Sequence, residues 1–305
     1  MELFSFSDTG KSVVILDIGA RIIHDDPPIY DYLIQNTHCE VIAVDADPDA
    51  CKQQIKSMQD NVFLIKNVVL GDGKPHSFNK CSLPPCSSIL EPNRHVLTQY
   101  SGMMPFYEVE SIEQVNTLTL DSEFRDIFPD LLKIDVQGYE LNILQNGKNV
   151  LESTSAIHIE VGFIEKYKGQ PLFRDIDHFL SEQGFQFHCF TGYGTRTPAG
   201  IYANNDPISG VNQWLWSDAV YYHRLDDIEW WLREDRLLRM ALVFHYVWQS
   251  YDYAAHCLKT YDKANKTEYL SRYILSLNEN TTIDLHISTG IDENKILSDF
   301  IARQN

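Results

Sequence analysis

Residues 13–20 read VVILDIGA, a run of apolar and mostly β-branched side chains broken by one acid and closed by a glycine. A strand that faces water on one side alternates apolar and polar residues. An unbroken apolar run fits a strand covered on both faces, as in a parallel sheet flanked by helices. The glycine lets the chain turn sharply behind the strand, and Asp17, at the strand end, can accept from a cationic or hydroxylated ligand. Working outward, EVIAVDAD (residues 40–47) repeats the pattern and ends on Asp45. Between the two, PPIYDYLIQN predicts a helix beginning after Pro28. After the second strand, PDACKQQIKSM (residues 48–58) predicts another helix, with Pro48 suited to its first turn.

The alternation continues along the chain. NVFLIKNVVL supplies a third strand, LLKIDV (residues 131–136) a fourth and AIHIEV (residues 156–161) a fifth. ELNILQNGKNVL is helical, and LFRDIDHFLSEQG predicts a helix closed by Gly184. FQFHCF and DAVYYHR read as a final pair of strands. Strands alternating with helices imply an α/β fold with a doubly wound, largely parallel sheet. Two segments interrupt it: an irregular, Pro- and Ser-rich insertion, KCSLPPCSSILEPN, and a second, TGYGTRTPAGIYANNDPISGVNQWLW, before the last strand. From Asp226 onward the pattern changes to long helices, so the chain divides into residues 1–225 and a helical extension, residues 226–305. That extension reads as an amphipathic cap on the sheet or as the surface of a homo-oligomer.

Composition restricts the function classes. The formal charge is −18, from 43 acidic and 25 basic side chains, which disfavours phosphate backbones and anionic membranes. No apolar run approaches the ~20 residues of a membrane-spanning helix. The stretch MELFSFSDTGKSVV lacks a basic segment leading into an apolar one, so a cytoplasmic setting is expected. Six cysteines show no paired metal-ligand spacing, and Cys81 and Cys86 read as buried thiols. His158, inside the fifth strand, reads as a packed core residue.

Three strand ends carry the chemistry. Asp17 and Gly19 close the first strand, and Asp45, closing the second, is placed to bind ribose hydroxyls. KIDVQGYE closes the fourth with Asp135, Gln137 and Gly138 before a helix. In a doubly wound sheet these carboxyl ends lie along one edge, so the residues converge. Other matches fail. DTGKS mimics the end of a phosphate loop, but Ser5 stands where that motif needs a glycine, and the segment precedes the first strand. The Gly-x-Gly-x-x-Gly of nicotinamide enzymes is missing, which weakens a dehydrogenase reading.

Taken together, LDIGA, IAVDADPDAC, CSSILEPN, VNTLTLD, DLLKIDVQGYELNILQNGKNVL and IHIEVGF resemble the FkbM family of methyltransferases. KIDVQGYELNIL is the most specific part, similar to the family's Lys-Ile-Asp-Val-Glu-Gly-x-Glu. The resemblance implies a Rossmann-like class I methyltransferase sheet, S-adenosylmethionine as donor, and O-methylation, often of sugars or natural products. It implies cofactor-binding roles for Asp17, Gly19, Ala20, Asp45 and Gly138, with Glu140 as the final acid. Gln137 departs from the family's Glu. Arg21, Ile22, Ile23 and His24 replace its small, Gly-containing turn, and Arg21 is available to pair with a carboxylate.

On this reading Asp135 and Glu160 meet at adjacent strand ends, as candidate general bases or as ligands of a divalent cation that polarises the acceptor. The insertions supply the acceptor site for a small molecule or glycan. Ser87, Ser88 and Asn93 offer hydrogen bonds, and Trp214 and Trp216, beside a turn before the last strand, offer rings to stack on a sugar. The rival from another class is a noncatalytic binding protein that keeps the fold as a scaffold. Retention of Asp17, Gly19 and Asp45 favours the enzyme.

Overall fold

A computed structural model describes residues 12–21, 27–47 and 62–287. The expected strands form: β1 (Val13–Ile18), β2 (Cys39–Asp45) and β3 (Val62–Asn67), and, after two strands set apart from them, β4 (Pro75–Cys81) and β5 (Val109–Asn116), β6 (Leu131–Ile134), β7 (Ala156–Gly162), β8 (Phe185–Thr195) and β9 (Trp214–His223). The helices before β8 are α1 (Asp31–Asn36), α2 (Arg94–Leu97), α3 (Leu120–Phe124), α4 (Glu140–Gln145), α5 (Lys148–Ser153) and α6 (Phe173–Glu182). After β9 come α7 (Ile228–Trp231), α8 (Arg236–Tyr246), α9 (Tyr251–Asn265) and α10 (Tyr269–Asn280). The seven-stranded sheet has the order β3-β2-β1-β6-β7-β9-β8. The first five of these are parallel, and β9 runs antiparallel to both neighbours. This is the doubly wound, Rossmann-like α/β class. The expected helix over residues 48–58, and Ile22, Ile23 and His24, lie outside the described residues.

Register decides which side chains meet. Asp17 pairs with Ala43 on one side and Lys133 on the other, and Lys133 pairs in turn with His158. Paired residues point to the same face of a sheet, so Asp17, Lys133 and His158 form one polar row across three buried strands. His158 is buried as expected and lies 3.4 Å from the Trp248 ring nitrogen.

Several local expectations are corrected. The insertion between β3 and β6 is not wholly irregular: β4 and β5 pair antiparallel as a separate two-stranded sheet, and Lys80 and Cys81 belong to β4. LLKIDV is therefore the sixth strand of the chain and ends at Ile134. Thr191 to Thr195 extend β8, and Trp214 and Trp216 lie inside β9 rather than before it, because β8 and β9 pair far beyond the apolar cores that reveal them. The single helix expected over residues 140–151 breaks at Asn146 and Gly147 into α4 and α5. The long helix expected over residues 226–249 breaks at Glu234 and Asp235, which adopt positive φ.

The C-terminal helices cover the sheet face opposite the one packed by α3 to α6. The extension thus caps the sheet as expected, and within it α8 is buried at every position and belongs to the core. Its apolar side chains pack with Val13, Ile15, Val41, Leu131, Ala156 and Tyr222 from five strands. Two arginines within it find partners inside the protein. Arg236 donates to the Ser153 carbonyl at 2.8 Å, and Arg239 pairs with Asp130 at 2.8 Å. Asp130 also accepts from the Val14 amide at 3.0 Å, which ties the helix to the start of β1 and β6. Among the described residues no helix is long and apolar enough to cross a membrane.

Breaking a buried ion pair from one side leaves an uncompensated charge, at about 3–5 kcal/mol. Asp130→Ala is expected to lower the urea unfolding free energy by that amount. A chain ending at Arg224 should fail to give a cooperative unfolding transition. A truncated chain that unfolds like the intact one would show residues 226–305 to be a dispensable appendage.

Candidate active site

The site is built where β1, β2, β6 and β7 end. Gly19 follows β1 with φ +76°, and a Cβ there would lie 1.8 Å from the Asp135 carbonyl oxygen, so only glycine fits. The Asp135 amide donates to Ile18 O at 3.0 Å and closes the seam between the two strand ends. Beyond Asp135 the chain turns through Gln137 and Gly138, both at positive φ. For a glutamine this conformation costs about 1 kcal/mol. Glu140 holds the turn: its Oε1 accepts from the Val136 and Gly138 amides, each at 2.9 Å.

The left-handed turn aims the Gln137 amide between two acids. Its Nε2 donates to Asp135 Oδ1 at 2.9 Å and to Glu160 Oε2 at 2.7 Å. The Tyr167 hydroxyl sits between Gln137 Oε1, 3.1 Å away, and the Cys86 carbonyl, 2.8 Å away. A glutamate at this position would place a third carboxylate against two others, whereas the amide donates to both. The other Glu160 oxygen is ion-paired with Lys166, which is buried beneath the Trp216 ring with Nζ 4.9 Å from the ring centre.

These contacts split the two acids. Burial pushes Glu160 up to about 8, Lys166 opposes this, and the neighbouring Asp135 and Glu140 charges add to it. Burial also opposes ionisation of Asp135, but Lys133, the contact with Glu160 and the Gln137 amide bring it below the ordinary carboxylate range. Glu160 is therefore the weaker acid of the pair, and although burial opposes it, the Glu160 carboxylate raises Lys166 above the ordinary lysine range.

The remaining motif residues divide. Asp17 is 2% exposed and committed internally, accepting from the Tyr30 hydroxyl at 2.8 Å and lying 3.2 Å from Lys133 Nζ. Lys133 also donates to the Gly19 carbonyl at 2.8 Å, so Asp17 positions the turn through a lysine. Ala20 is buried and donates its amide to Val44 O. Asp45 accepts from the Asp47 amide at 2.7 Å and is raised by desolvation. Arg21 pairs with Asp47 at 2.8 Å, which answers the expectation of a carboxylate partner.

A cavity of about 590 Å³ opens on this edge and brings together Gly19, Asp45, Asp135, Gln137 and Ser87. Among the described residues, Asp17, Ala20, Gly138, Glu160, Ser88, Asn93, Trp214 and Trp216 are not part of its wall. Ser88 is buried and donates to the Gln137 carbonyl at 2.8 Å, and Asn93 caps α2. Trp214 stacks on Tyr193 with ring centres 4.6 Å apart, both of them exposed. Among the described residues no group of three or more His, Cys, Asp or Glu side chains is arranged to hold a metal. Sequence reading missed Lys133, Lys166 and Tyr167. A lysine inside the apolar run LLKID signals a buried partner, whereas nothing in IEKYKGQP singles out Lys166.

The model of the methyltransferase FkbM domain matches residues 17–187. No curated protein matches the sequence. Among solved structures, a TehB-like S-adenosylmethionine-dependent methyltransferase from Corynebacterium glutamicum is 14% identical, with 70% of this chain and 82% of that chain covered at a TM-score of 0.30. Sp1610 of Streptococcus pneumoniae, described as a candidate tRNA methyltransferase, is 12% identical, with 96% and 90% covered at a TM-score of 0.36.

Glu140 gives a pH test of the turn. Burial, and then the Asp135 charge, push it up to about 7, against the lowering pull of its backbone amides. A carboxyl raised on folding binds its proton more tightly in the native state, so stability falls as pH rises from its unfolded value through about 7. Glu140→Gln keeps the oxygen that accepts both amides and removes the titration. The variant should match the wild type near pH 4.5 and exceed it by up to about 3 kcal/mol at pH 8, read from urea unfolding across that range. A stability difference independent of pH would mean that Glu140 is ionised throughout.

Proposed function

The chain belongs to the FkbM methyltransferase family, and from that premise we propose that it transfers the methyl group of S-adenosylmethionine to a hydroxyl of a sugar, glycan or natural product. The observation that carries this reading is the common cavity wall formed by Gly19, Asp45 and Asp135. Its chemistry fits the donor. The Asp45 carboxylate is an acceptor for a ribose diol, the Gly19 backbone leaves room for close approach, and Val44, Val68, Leu70 and Ile143 give an apolar surface for a base. The donor would supply an electrophilic methyl on a sulfonium, and the Asp135 charge is of the sign that holds such a cation.

The protein's own part is positioning and proton removal. Holding an acceptor oxygen in line with the methyl group supplies much of the rate. Asp135 would take the hydroxyl proton of the acceptor as that oxygen is methylated. Glu160 acts from behind, through Gln137 and through its own charge. While Glu160 is protonated, Asp135 is a weak base. Loss of the Glu160 proton, near 8, sets a second negative charge beside Asp135 and strengthens it as a general base.

Two measurements test the reading. Asp45→Ala should weaken S-adenosylhomocysteine binding in calorimetry by at least ~1.5 kcal/mol, the scale of a charge-assisted hydrogen bond. Methyl transfer measured as kcat/KM should rise with pH up to about 8 and then level. Asp135→Asn should lower the rate by ~10²–10⁴ and abolish the rise while binding S-adenosylhomocysteine normally. A flat profile from pH 6 to 9, or undiminished transfer by Asp135→Asn, would remove the carboxylate pair from the chemistry. Donor binding without transfer to any acceptor would favour a noncatalytic scaffold.

A further inference from the structure

The β4–β5 hairpin supplies a part of the cavity wall to which the donor reading assigns no role. Alternation along two paired strands puts Phe78 opposite Glu113 and Lys80 opposite Ser111, with Val115 in the same row. All five line the cavity that holds Gly19, Asp45 and Asp135, and Glu110 joins them beside the irregularity in the pairing. The hairpin is anchored. Asn79, on its other face, donates through its side chain to Ser88 O and Ile89 O at 3.2 and 3.3 Å. His76 bridges Asp72, at 2.7 Å, and the Tyr139 hydroxyl, at 3.4 Å, close to the Asp135 turn. This face is thus a fixed wall, mixing an aromatic ring and a valine with one hydroxyl and one ion pair.

Its charge is one-sided. The described residues of the wall include five acids (Asp45, Asp47, Glu110, Glu113 and Asp135) and two bases (Arg21 and Lys80). Each base is already paired within the wall, Arg21 with Asp47 at 2.8 Å and Lys80 with Glu113 at 2.6 Å. Among the described residues of the wall none forms an ion pair with Asp45, Glu110 or Asp135, and Lys133 acts on Asp45 and Asp135 only from behind the wall. A phosphorylated acceptor brings a charge of about −1.5 to −2 at neutral pH into that field, and juxtaposed like charges are a strong bar to binding. An uncharged polyol meets no such barrier. Its hydroxyls match Ser111, Lys80 and Glu113, and its apolar face matches Phe78.

We propose that the cavity face of the β4–β5 hairpin is the acceptor subsite, and that it selects uncharged polyhydroxylated acceptors over phosphorylated or carboxylated ones. The proposal rests on the donor reading above. Its test uses the full chain, labelled S-adenosylmethionine, and a panel of methyl glycosides, their 6-phosphates and the matching uronic acids. S-adenosylhomocysteine calorimetry is run on each variant. The wild type should methylate neutral glycosides at least tenfold better in kcat/KM than their charged counterparts. Ser111→Trp, at an exposed position of β5, should bind S-adenosylhomocysteine within twofold of the wild type and lose transfer at least tenfold. Glu110→Lys should shift the preference toward the phosphates at least tenfold with donor binding unchanged. Preference for a charged acceptor, transfer to no neutral member, or full activity in Ser111→Trp would overturn the subsite. Failure of the wild type to bind S-adenosylhomocysteine would instead remove the donor reading, and the subsite with it.

Discussion

Four carboxylates, those of Asp17, Glu140 and Glu160, which are buried, and that of Asp135, which is half-buried, gather at the carboxyl end of one sheet, with the lysines Lys133 and Lys166 and the Gln137 amide set among them. Taking ions out of water costs several kcal/mol each, and the penalty is recovered only where geometry and hydrogen bonding are good. Much of the local architecture answers to that requirement. Lys133 sits opposite Asp17 in register, so a single pairing of β1 with β6 supplies the cation. The strained turn at Gln137 brings one amide to two acids that would otherwise repel. Glu140 is satisfied by the backbone of the same turn. The net result is a preformed site in which only some of the charge reaches the cavity wall.

The opposite end of the sheet is handled differently. There one acid, Asp130, meets one arginine, Arg239, on a helix buried along its whole length. That pairing closes the amino end of the strands and leaves the carboxyl end open to ligand. Because α8 packs on five strands, the helical extension contributes to the core that holds β1 and β6 in register. The same register sets the distance between Gly19 and Asp135. Stability at one end and chemistry at the other thus depend on one set of strand pairings.

The sheet was legible because buried parallel strands announce themselves as unbroken apolar runs. VVILDIGA, EVIAVDAD and AIHIEV need no partner to be recognised. The β4–β5 hairpin was not legible. PHSFNKC and VESIEQVN carry no core pattern, and β5 is almost wholly exposed, so its pairing rests on contacts distant in sequence. The convergence of Asp45 and Asp135 on one edge could be read from topology alone. The inward commitment of Asp17 could not, since a carboxylate at a strand end looks the same whether a ligand or a lysine holds it. Lys166 illustrates the general limit. It lies in a loop without a motif, and only the folded chain brings it beneath Trp216 and against Glu160. Gln137 was visible as a departure from the family pattern, but its role as a donor to two acids needed the backbone geometry of its turn.

On the proposed function, the methyl donor is held at this edge of the sheet. A crystal structure of the full chain with S-adenosylhomocysteine tests it most directly. The ribose hydroxyls are expected within hydrogen-bond distance of Asp45, the amino-acid portion beside Gly19 and the thioether sulfur on the side of Asp135. A ligand bound elsewhere on the chain, or one in the cavity making no contact with Asp45 or Gly19, would contradict it.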